Sequence, residues 1–155
     1  MAYTDLITSA EKIPAVQQSS FLEYQNRKES LVAAINIYMT SRNDLPELVG
    51  QNNVQMMKNN HLNHVLFINS ILQVPNSEVL VDTVLWVFKT YRSHGFSVKY
   101  WNVQINAWLH ILKNQLSHEA YQEICPLYKW MQEHIPVFDK LSSEKKEEAN
   151  QLEQI

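Results

Sequence analysis

Apolar residues recur at spacings of three and four along most of the chain, and this spacing places them on one face of an α-helix. From Ser117 the pattern predicts a helix that runs to Phe138, with Ser117 as its N-cap and a local bend at Pro126. The Asn-Asp-Leu-Pro stretch at 43–46 is expected to end an earlier helix, because proline and the residue before it both resist helical continuation. The same reasoning predicts further helices over residues 19–42, 51–74 and 97–116.

The segment from Ser77 to His94 is open to two interpretations, because its run of β-branched and aromatic residues also suits a buried strand. Its length, the acidic residues near its start and Gly95 after its end favour a helix. A helix here places four residues on one face, with the guanidinium directed toward the core: Val81, Leu85, Phe88 and Arg92.

The glycine content supports the helical interpretation. The chain of 155 residues has only two glycines, whereas tight hairpins and phosphate-binding loops consume glycine. We therefore expect an all-α fold in one domain over residues 1–141. A charged C-terminal tail is expected over residues 142–155, with Leu152 and Ile155 as its late apolar residues; its high helix propensity predicts a solvated or frayed helix, or a stub that would lead elsewhere in a longer protein.

Charge and cysteine content narrow the class of protein. The formal net charge of −3 gives no basic excess of the kind that nucleic-acid binding requires. The single cysteine, Cys125, excludes an internal disulfide, suits a reducing compartment and is interpreted as a small buried hydrophobe. The longest uninterrupted apolar stretch, Val84 to Phe88, is too short to cross a membrane, and the N-terminus lacks the pattern of a secretory signal. We expect a soluble, cytoplasmic protein without a membrane span.

The distribution of acidic residues makes Arg92 a candidate ligand-binding residue. Between residues 48 and 118 the only carboxylates belong to Glu78 and Asp82. An unpaired guanidinium that faces an apolar core costs several kcal/mol, so its counterion must come from a distant helix or from outside the protein. Two other interpretations stay open, since the side chain can extend to water or form a structural salt bridge.

Two histidines, His61 and His64, lie on or beside an apolar face at a spacing suited to a metal, although no nearby acid or cysteine offers a third ligand. Histidines that hydrogen-bond inside the core are the favoured interpretation. The sequence has no nucleophile–base–acid signature and no pair of carboxylates placed for hydrolysis. We therefore expect a protein that is not an enzyme.

The segments VFKTYRSHGFSVKYWNVQINAWLHIL and EICPLYKWMQEHIPVF resemble the non-haem globin sensor domains of Bacillus sporulation sensor histidine kinases. The resemblance extends from about Phe21 to Phe138 and includes the stand-alone, plasmid-encoded relatives in Bacillus anthracis that inhibit sporulation. It implies a globin-like, dimeric fold without haem. In such a fold an apolar tunnel holds a fatty acid, while an arginine and a chloride ion engage the fatty-acid carboxylate.

Carried onto this sequence, the resemblance implies that Arg92 binds the ligand carboxylate, with Arg42 as the second candidate and Arg27 as the remaining arginine. The polar chamber is expected to contain Tyr91 and the two histidines His61 and His64. The acyl tunnel is expected to be lined by Val81, Leu85, Phe88, Ile105 and Trp108.

The sequence shows no phosphotransfer or ATP-binding segment. The resemblance therefore implies a stand-alone homodimeric sensor domain that inhibits sporulation by titrating the signal ligand of a homologous sensor histidine kinase. One alternative is a ligand-independent interaction module that forms mixed dimers with the kinase sensor domain. The other is a haem sensor with His61, His64 or His94 as the iron ligand.

Overall fold

Helices make up every regular element of the computed structural model, which describes the backbone of residues 1–153 and the side chains of residues 1–144. The all-α prediction is confirmed for this part of the chain. In chain order the helices are α1 Tyr3–Glu11, α2 Gln18–Asn26, α3 Lys28–Thr40, α4 Leu45–Val49, α5 Val54–Gln73, α6 Ser77–Ser93, α7 Val98–Gln115, α8 His118–Glu133 and α9 Ile135–Glu153.

Side-chain caps mark the start of three helices. The Ser117 hydroxyl accepts a hydrogen bond from the Ala120 N–H at 3.2 Å, and the Ser97 hydroxyl accepts one from the Lys99 N–H at 3.2 Å. Both N-caps agree with the sequence prediction. The Asn76 side chain caps α6 in the same way.

The ambiguous segment is a helix, α6, and Gly95 ends it. Gly95 has a φ of 97°, a left-handed conformation that glycine adopts at little cost. The N–H groups of Gly95 and Phe96 donate back to the carbonyls of Arg92 at 3.0 Å and Tyr91 at 3.1 Å. These two bonds satisfy carbonyls at the helix end and turn the chain toward α7.

Two predicted helices are each divided in the structure. The predicted 19–42 helix is interrupted at Arg27, whose φ of −100° and ψ of 3° separate α2 from α3. The predicted 117–138 helix is interrupted at His134. Pro136 explains the second break, because proline has no N–H to continue the ladder and its ring crowds the preceding turn. The first helix, α1, was not predicted. The predicted end of the earlier helix before Pro46 is confirmed, but the break lies at residues 41–44, and Leu45 and Pro46 already belong to α4.

The consecutive helices α5 and α6 pack mainly against different neighbours. α6 packs on α9 and α1, whereas α5 packs on α3 and α2. α7 packs on α8 and α3 and lies across the centre of the fold. The core contains large, fully buried side chains: Trp108, Tyr24, Tyr100, Tyr128 and Phe138. The divergence of α5 from α6 leaves internal space between them, beside α7.

The C-terminal part of the chain continues as α9 through residue 142, where the sequence predicts a charged tail to begin. The side chain of Leu152 and the whole of Ile155 lie outside the described residues. Within the described residues, no helix combines the length and apolar character needed to span a bilayer. Cys125 is a buried free thiol, which confirms its interpretation as a small core residue.

Candidate functional site: an internal cavity between α5, α6 and α7

A partly open cavity of about 220 Å³ lies between α5, α6 and α7. Most of its wall is apolar, from Phe67, Ile68, Val84, Trp86, Val87, Phe88, Trp101, Ile105, Met131 and Phe138. The polar residues of the wall are Asn60, Asn63, His64, Thr83, Tyr91 and Gln104. Among the described residues, no Asp, Glu, Lys or Arg lines it. An apolar wall with a few polar groups is typical of a small-molecule site.

The cavity has room for several non-hydrogen atoms of a ligand. Its lining residues on α6 extend from Thr83 to Tyr91, which corresponds to about 12 Å at the α-helical rise. At roughly 30 Å³ for a water-sized group, the volume of about 220 Å³ holds about seven such groups.

Trp86 marks the mouth of the cavity. It lines the cavity and is nevertheless 63% exposed, whereas Phe88, two residues further along α6, is only 4% exposed. Asn63 on the facing side of the mouth is also exposed. The opening to solvent therefore lies between α5 and α6, and Phe88 belongs to the interior wall.

Two nearly fully buried amides, Asn60 and Gln104, form the polar end of the cavity together with Tyr100. The Asn60 Oδ1 accepts hydrogen bonds from the Tyr100 hydroxyl at 2.8 Å and from the Gln104 Nε2 at 2.7 Å. The Gln104 Nε2 also donates to the Tyr100 hydroxyl at 2.9 Å. Both amide hydrogens of Gln104 are thereby used, so its Oε1 is the atom that remains to accept.

Tyr91 joins this polar end from α6. Its burial raises the pKa of the phenol, while the side chains of Asn60 and Asn63 act in the opposite direction with smaller effect. The phenol is therefore neutral at physiological pH, and its hydroxyl group can donate a hydrogen bond to a ligand.

His64 reaches the cavity from α5 and ends a chain of three polar groups. The Tyr24 and Tyr128 hydroxyls are 2.8 Å apart, and the Tyr128 hydroxyl is 2.9 Å from the His64 Nε2. Only one arrangement gives every buried proton of the chain an acceptor: Tyr24 donates to Tyr128, and Tyr128 donates to Nε2. His64 then carries its proton on Nδ1. His64 is one of the residues that line the cavity, so a donor on this ring is available to the site.

Both core histidines are neutral at physiological pH, because burial lowers the pKa of His61 and of His64 to about 3. His61 lies 2.7 Å from the Asn36 Oδ1 through Nδ1 and 3.3 Å from the Tyr100 hydroxyl through Nε2. The interpretation of both residues as core histidines with internal hydrogen bonds is confirmed.

Trp108 packs against the rings of both histidines. Its indole stacks on the His64 ring at a centroid distance of 5.0 Å and an interplanar angle of 19°, and it meets the His61 ring edge-on at 6.1 Å. Trp108 is fully buried, and its Nε1 has no hydrogen-bond partner within the described residues. The residue therefore orients His64, and it is not part of the cavity wall.

Arg92 has an internal counterion. Its guanidinium forms a salt bridge with the Asp139 carboxylate on α9 and also donates to the Asp139 carbonyl at 3.0 Å and the Ser143 Oγ at 2.6 Å. Of the sources that the sequence leaves open, a distant helix supplies the partner. The packing of α9 on α6 brings Asp139 to the guanidinium, and Arg92 does not line the cavity; the assignment of Arg92 to a ligand carboxylate stays a prediction.

Arg42 is likewise paired within the chain. Its Nε lies 2.8 Å from the Asp44 Oδ1 and its Nη2 lies 2.9 Å from Oδ2, a two-point contact that lowers the pKa of Asp44. The pair sits between α3 and α4, away from the cavity wall, and Arg27 is exposed. None of the three arginines is placed to receive a ligand in the cavity.

The structure brings together four of the sequence-predicted site residues. Within the cavity wall are His64, Tyr91, Phe88 and Ile105. Of the other six, Arg42 and Arg92 form ion pairs outside the cavity, and four are buried elsewhere in the core: Val81, Leu85, Trp108 and His61.

The sequence interpretation missed Asn60 and Gln104. A usable signal exists for Gln104, since it occupies a position on the buried face of α7 in helical register with Trp101 and Trp108. An amide at such a position must find buried partners, which marks it as part of an internal polar network.

No group of three or more His, Cys, Asp or Glu side chains in the described part of the chain is placed to hold a metal ion. Comparisons with protein-family models, with curated proteins and with solved structures find no match to the chain. The cavity and its polar end are therefore the basis for a functional conclusion.

Proposed function

We propose that this protein is a non-enzymatic sensor domain that takes up one short aliphatic chain in the cavity between α5, α6 and α7. The single observation that carries the proposal is the size and chemistry of that cavity, which is mostly apolar, open beside Trp86 and polar at Asn60 and Gln104. Each buried methylene contributes roughly 0.8 kcal/mol, so a chain of about seven carbons supplies about 6 kcal/mol before the cost of association.

We also propose that the fold is globin-like, and the helix packing supports this. The antiparallel pair α7 and α8 packs against the early helices α3 and α2, and α5 packs on both of these early helices. In the globin fold, helices pack in this pairwise manner around an internal pocket. Here the corresponding space is the mostly apolar cavity between α5, α6 and α7.

The biological role is proposed from the sequence resemblance. In this role the protein is a cytoplasmic regulator that inhibits sporulation by withdrawing a fatty acid, bound with chloride near its head, from a homologous sensor histidine kinase. What the structure adds in support is a cavity for an acyl chain. The arginine anchor is not part of that support, because Arg92 is bound to Asp139.

Organic extraction of the purified protein followed by mass spectrometry tests the proposed function. We expect an aliphatic compound in stoichiometric amount. Added octan-1-ol at one hundred times its Kd should stabilise the stripped protein by about 2.7 kcal/mol, which raises Tm by roughly 5–10 °C. An extract without lipid, together with no shift in Tm for any aliphatic compound of six to twelve carbons, would refute the proposal.

A second candidate is an interaction module that pairs with a second copy of the domain or with the homologous kinase domain. An exposed groove between α3 and α5 favours it: the groove contains Leu62 and Leu66, each 48% exposed, with Lys28 and Glu29 at its edge. Adjacent opposite charges can pair with their copies across a two-fold axis. Light scattering should then show a dimer that Leu66→Glu dissociates and that delipidation leaves intact.

A further inference from the structure

We propose that the ligand enters with an uncharged head group that both donates and accepts hydrogen bonds, such as a primary amide, an alcohol or a protonated carboxylic acid. This inference rests on the proposed function of the cavity and specifies the class of ligand. It arises from the polar end, where the structure places amides, a phenol and an imidazole but no ion.

The first observation is the absence of a counterion for an anionic head. Within the described residues, no basic side chain lines the cavity. Arg92 is held by Asp139 and Arg42 by Asp44. A carboxylate placed at this end would lose its hydration without a cation in return, and an unpaired buried charge costs far more than an unpaired neutral group.

The second observation is the hydrogen-bonding character of the atoms that remain available. The Gln104 Oε1 is an acceptor, because both hydrogens of the same amide are already donated to Asn60 and Tyr100. The His64 Nδ1 is a donor, since Nε2 accepts from Tyr128. Tyr91 lines the cavity, and its phenol hydroxyl supplies a second donor. A head group that fits offers a hydrogen to Gln104 and a lone pair to His64 or Tyr91.

A carboxylate meets only half of this arrangement. It accepts but cannot donate, so one of its oxygens would face the lone pairs of the Gln104 Oε1. A primary amide of the same shape replaces that oxygen with an N–H group and satisfies both sides. Gln104 is only 2% exposed, so water cannot easily correct a mismatch at this position.

Three ligands of nearly identical shape separate the possibilities: octanamide, 2-nonanone and octanoate. All have the same seven-carbon chain on a carbonyl and differ only in the attached NH₂, CH₃ or O⁻. Isothermal titration of the stripped, full-length protein at pH 8 gives the three Kd values. We expect octanamide to bind roughly fivefold to tenfold tighter than 2-nonanone, from one additional hydrogen bond. Octanoate should bind at least about tenfold more weakly than octanamide, because its charge is left unpaired.

Two variants assign the effect to named residues. Gln104→Met retains the approximate shape of the side chain and removes the acceptor, so octanamide should bind no tighter than 2-nonanone. Arg92→Gln is the matched control and should leave all three Kd values unchanged. Circular dichroism melts establish that each variant is folded, and if Gln104→Met is not, the order of the three ligands on the wild-type protein decides the question.

The outcomes distinguish this inference from the proposed function. Tightest binding of octanoate, or weakening of octanoate by Arg92→Gln, would overturn the uncharged head group and leave the cavity as an aliphatic site. Equal affinities for octanamide and 2-nonanone in the wild-type protein would overturn it too, because the acceptor would then have no role. Failure of all three to bind would overturn the proposed function, and the inference with it.

Discussion

The α6–α9 contact and the polar end of the cavity differ in how their polar groups are satisfied. At the α6–α9 contact, Arg92 and Asp139 meet as ions with side chains that are 32% and 42% exposed. At the polar end, Asn60 and Gln104 are 4% and 2% exposed and bond to each other and to Tyr100 as neutral groups. Formal charge is kept where water reaches it, and the enclosed interior relies on neutral hydrogen bonds.

The two regions are therefore expected to contribute differently to the stability of the protein and to ligand binding. The ion pair is partly screened by solvent, so it contributes little to stability and nothing directly to the cavity. The neutral network is enclosed, so a change in its protonation or composition is costly. Experiments that introduce charge into the interior should therefore have larger effects than experiments that remove charge from the periphery.

Acidification should produce the largest effect. The pKa of His61 and of His64 is about 3 in the folded protein and about 6.5 in an unfolded chain. Between these values the unfolded state binds protons that the folded state does not. Stability is therefore fully present above pH 6.5 and is lost as pH falls toward 3. From pH 7 to pH 5 the loss should be roughly 2 kcal/mol per histidine, or about 4 kcal/mol together, measured as the free energy of unfolding in urea.

The control for acidification uses an exposed histidine. His64→Gln should reduce the pH-dependent loss by about half, because one of the two buried titrating groups is gone. His110→Gln, at an exposed position on α7, should leave the loss unchanged. If His64→Gln leaves the pH dependence unaltered, the neutral interior is not the source of the acid sensitivity.

Truncating a side chain that lines the cavity should have the next largest effect. It should also distinguish residues of the cavity wall from core residues that do not line the cavity. Ile105→Ala and Leu85→Ala both truncate buried residues, 4% and 2% exposed, and each should destabilise the protein by about 2–5 kcal/mol. Only Ile105 lines the cavity. Ile105→Ala should therefore shift the preferred aliphatic ligand by two or three carbons, whereas Leu85→Ala should not.

Chain-length preference is measured by titration of the stripped variants with a series of primary alcohols. Equal shifts for both variants would mean that the cavity wall also includes Leu85. No shift for either would place the bound chain outside the cavity.

Removing the peripheral arginines should have the smallest effect. Arg92→Gln and Arg42→Gln each break a solvent-exposed ion pair, for which we expect a loss of about 1 kcal/mol or less. Neither variant should change the affinity for an aliphatic ligand, because neither residue lines the cavity. A selective loss of ligand affinity in Arg92→Gln would restore the arginine anchor implied by the resemblance, and titration with octanoate is the measurement that detects it.

Helix starts and ends that depend on residues close together in the sequence could be predicted. The caps at Ser97 and Ser117 and the glycine stop at Gly95 appear in the structure as the sequence predicts them. The division of the last predicted helix at His134 was also within reach, since Pro136 stands directly after it. These signals are local, and tertiary packing did not override them.

The candidate site was only partly predictable, because membership in the cavity wall depends on how helices are rotated against one another. Phe88 and Leu85 lie on the same predicted face of α6, yet only Phe88 reaches the cavity. Trp108 shares a face with Ile105 and instead stacks on His64. A helical face spans a wide arc, and the sequence pattern does not say which part of that arc meets a neighbour and which part meets a space.

The sequence by itself determined that this protein is an all-α domain and which face of each main helix is buried, because helical periodicity, capping and scarce glycine act through residues close together in the chain. Only the tertiary structure decided that Arg92 is paired with Asp139, 47 positions away. It also decided that α5 diverges from α6 and that Asn60 meets Gln104 at the end of the space between them. These contacts join residues far apart in the chain, so they follow from the packing of whole helices.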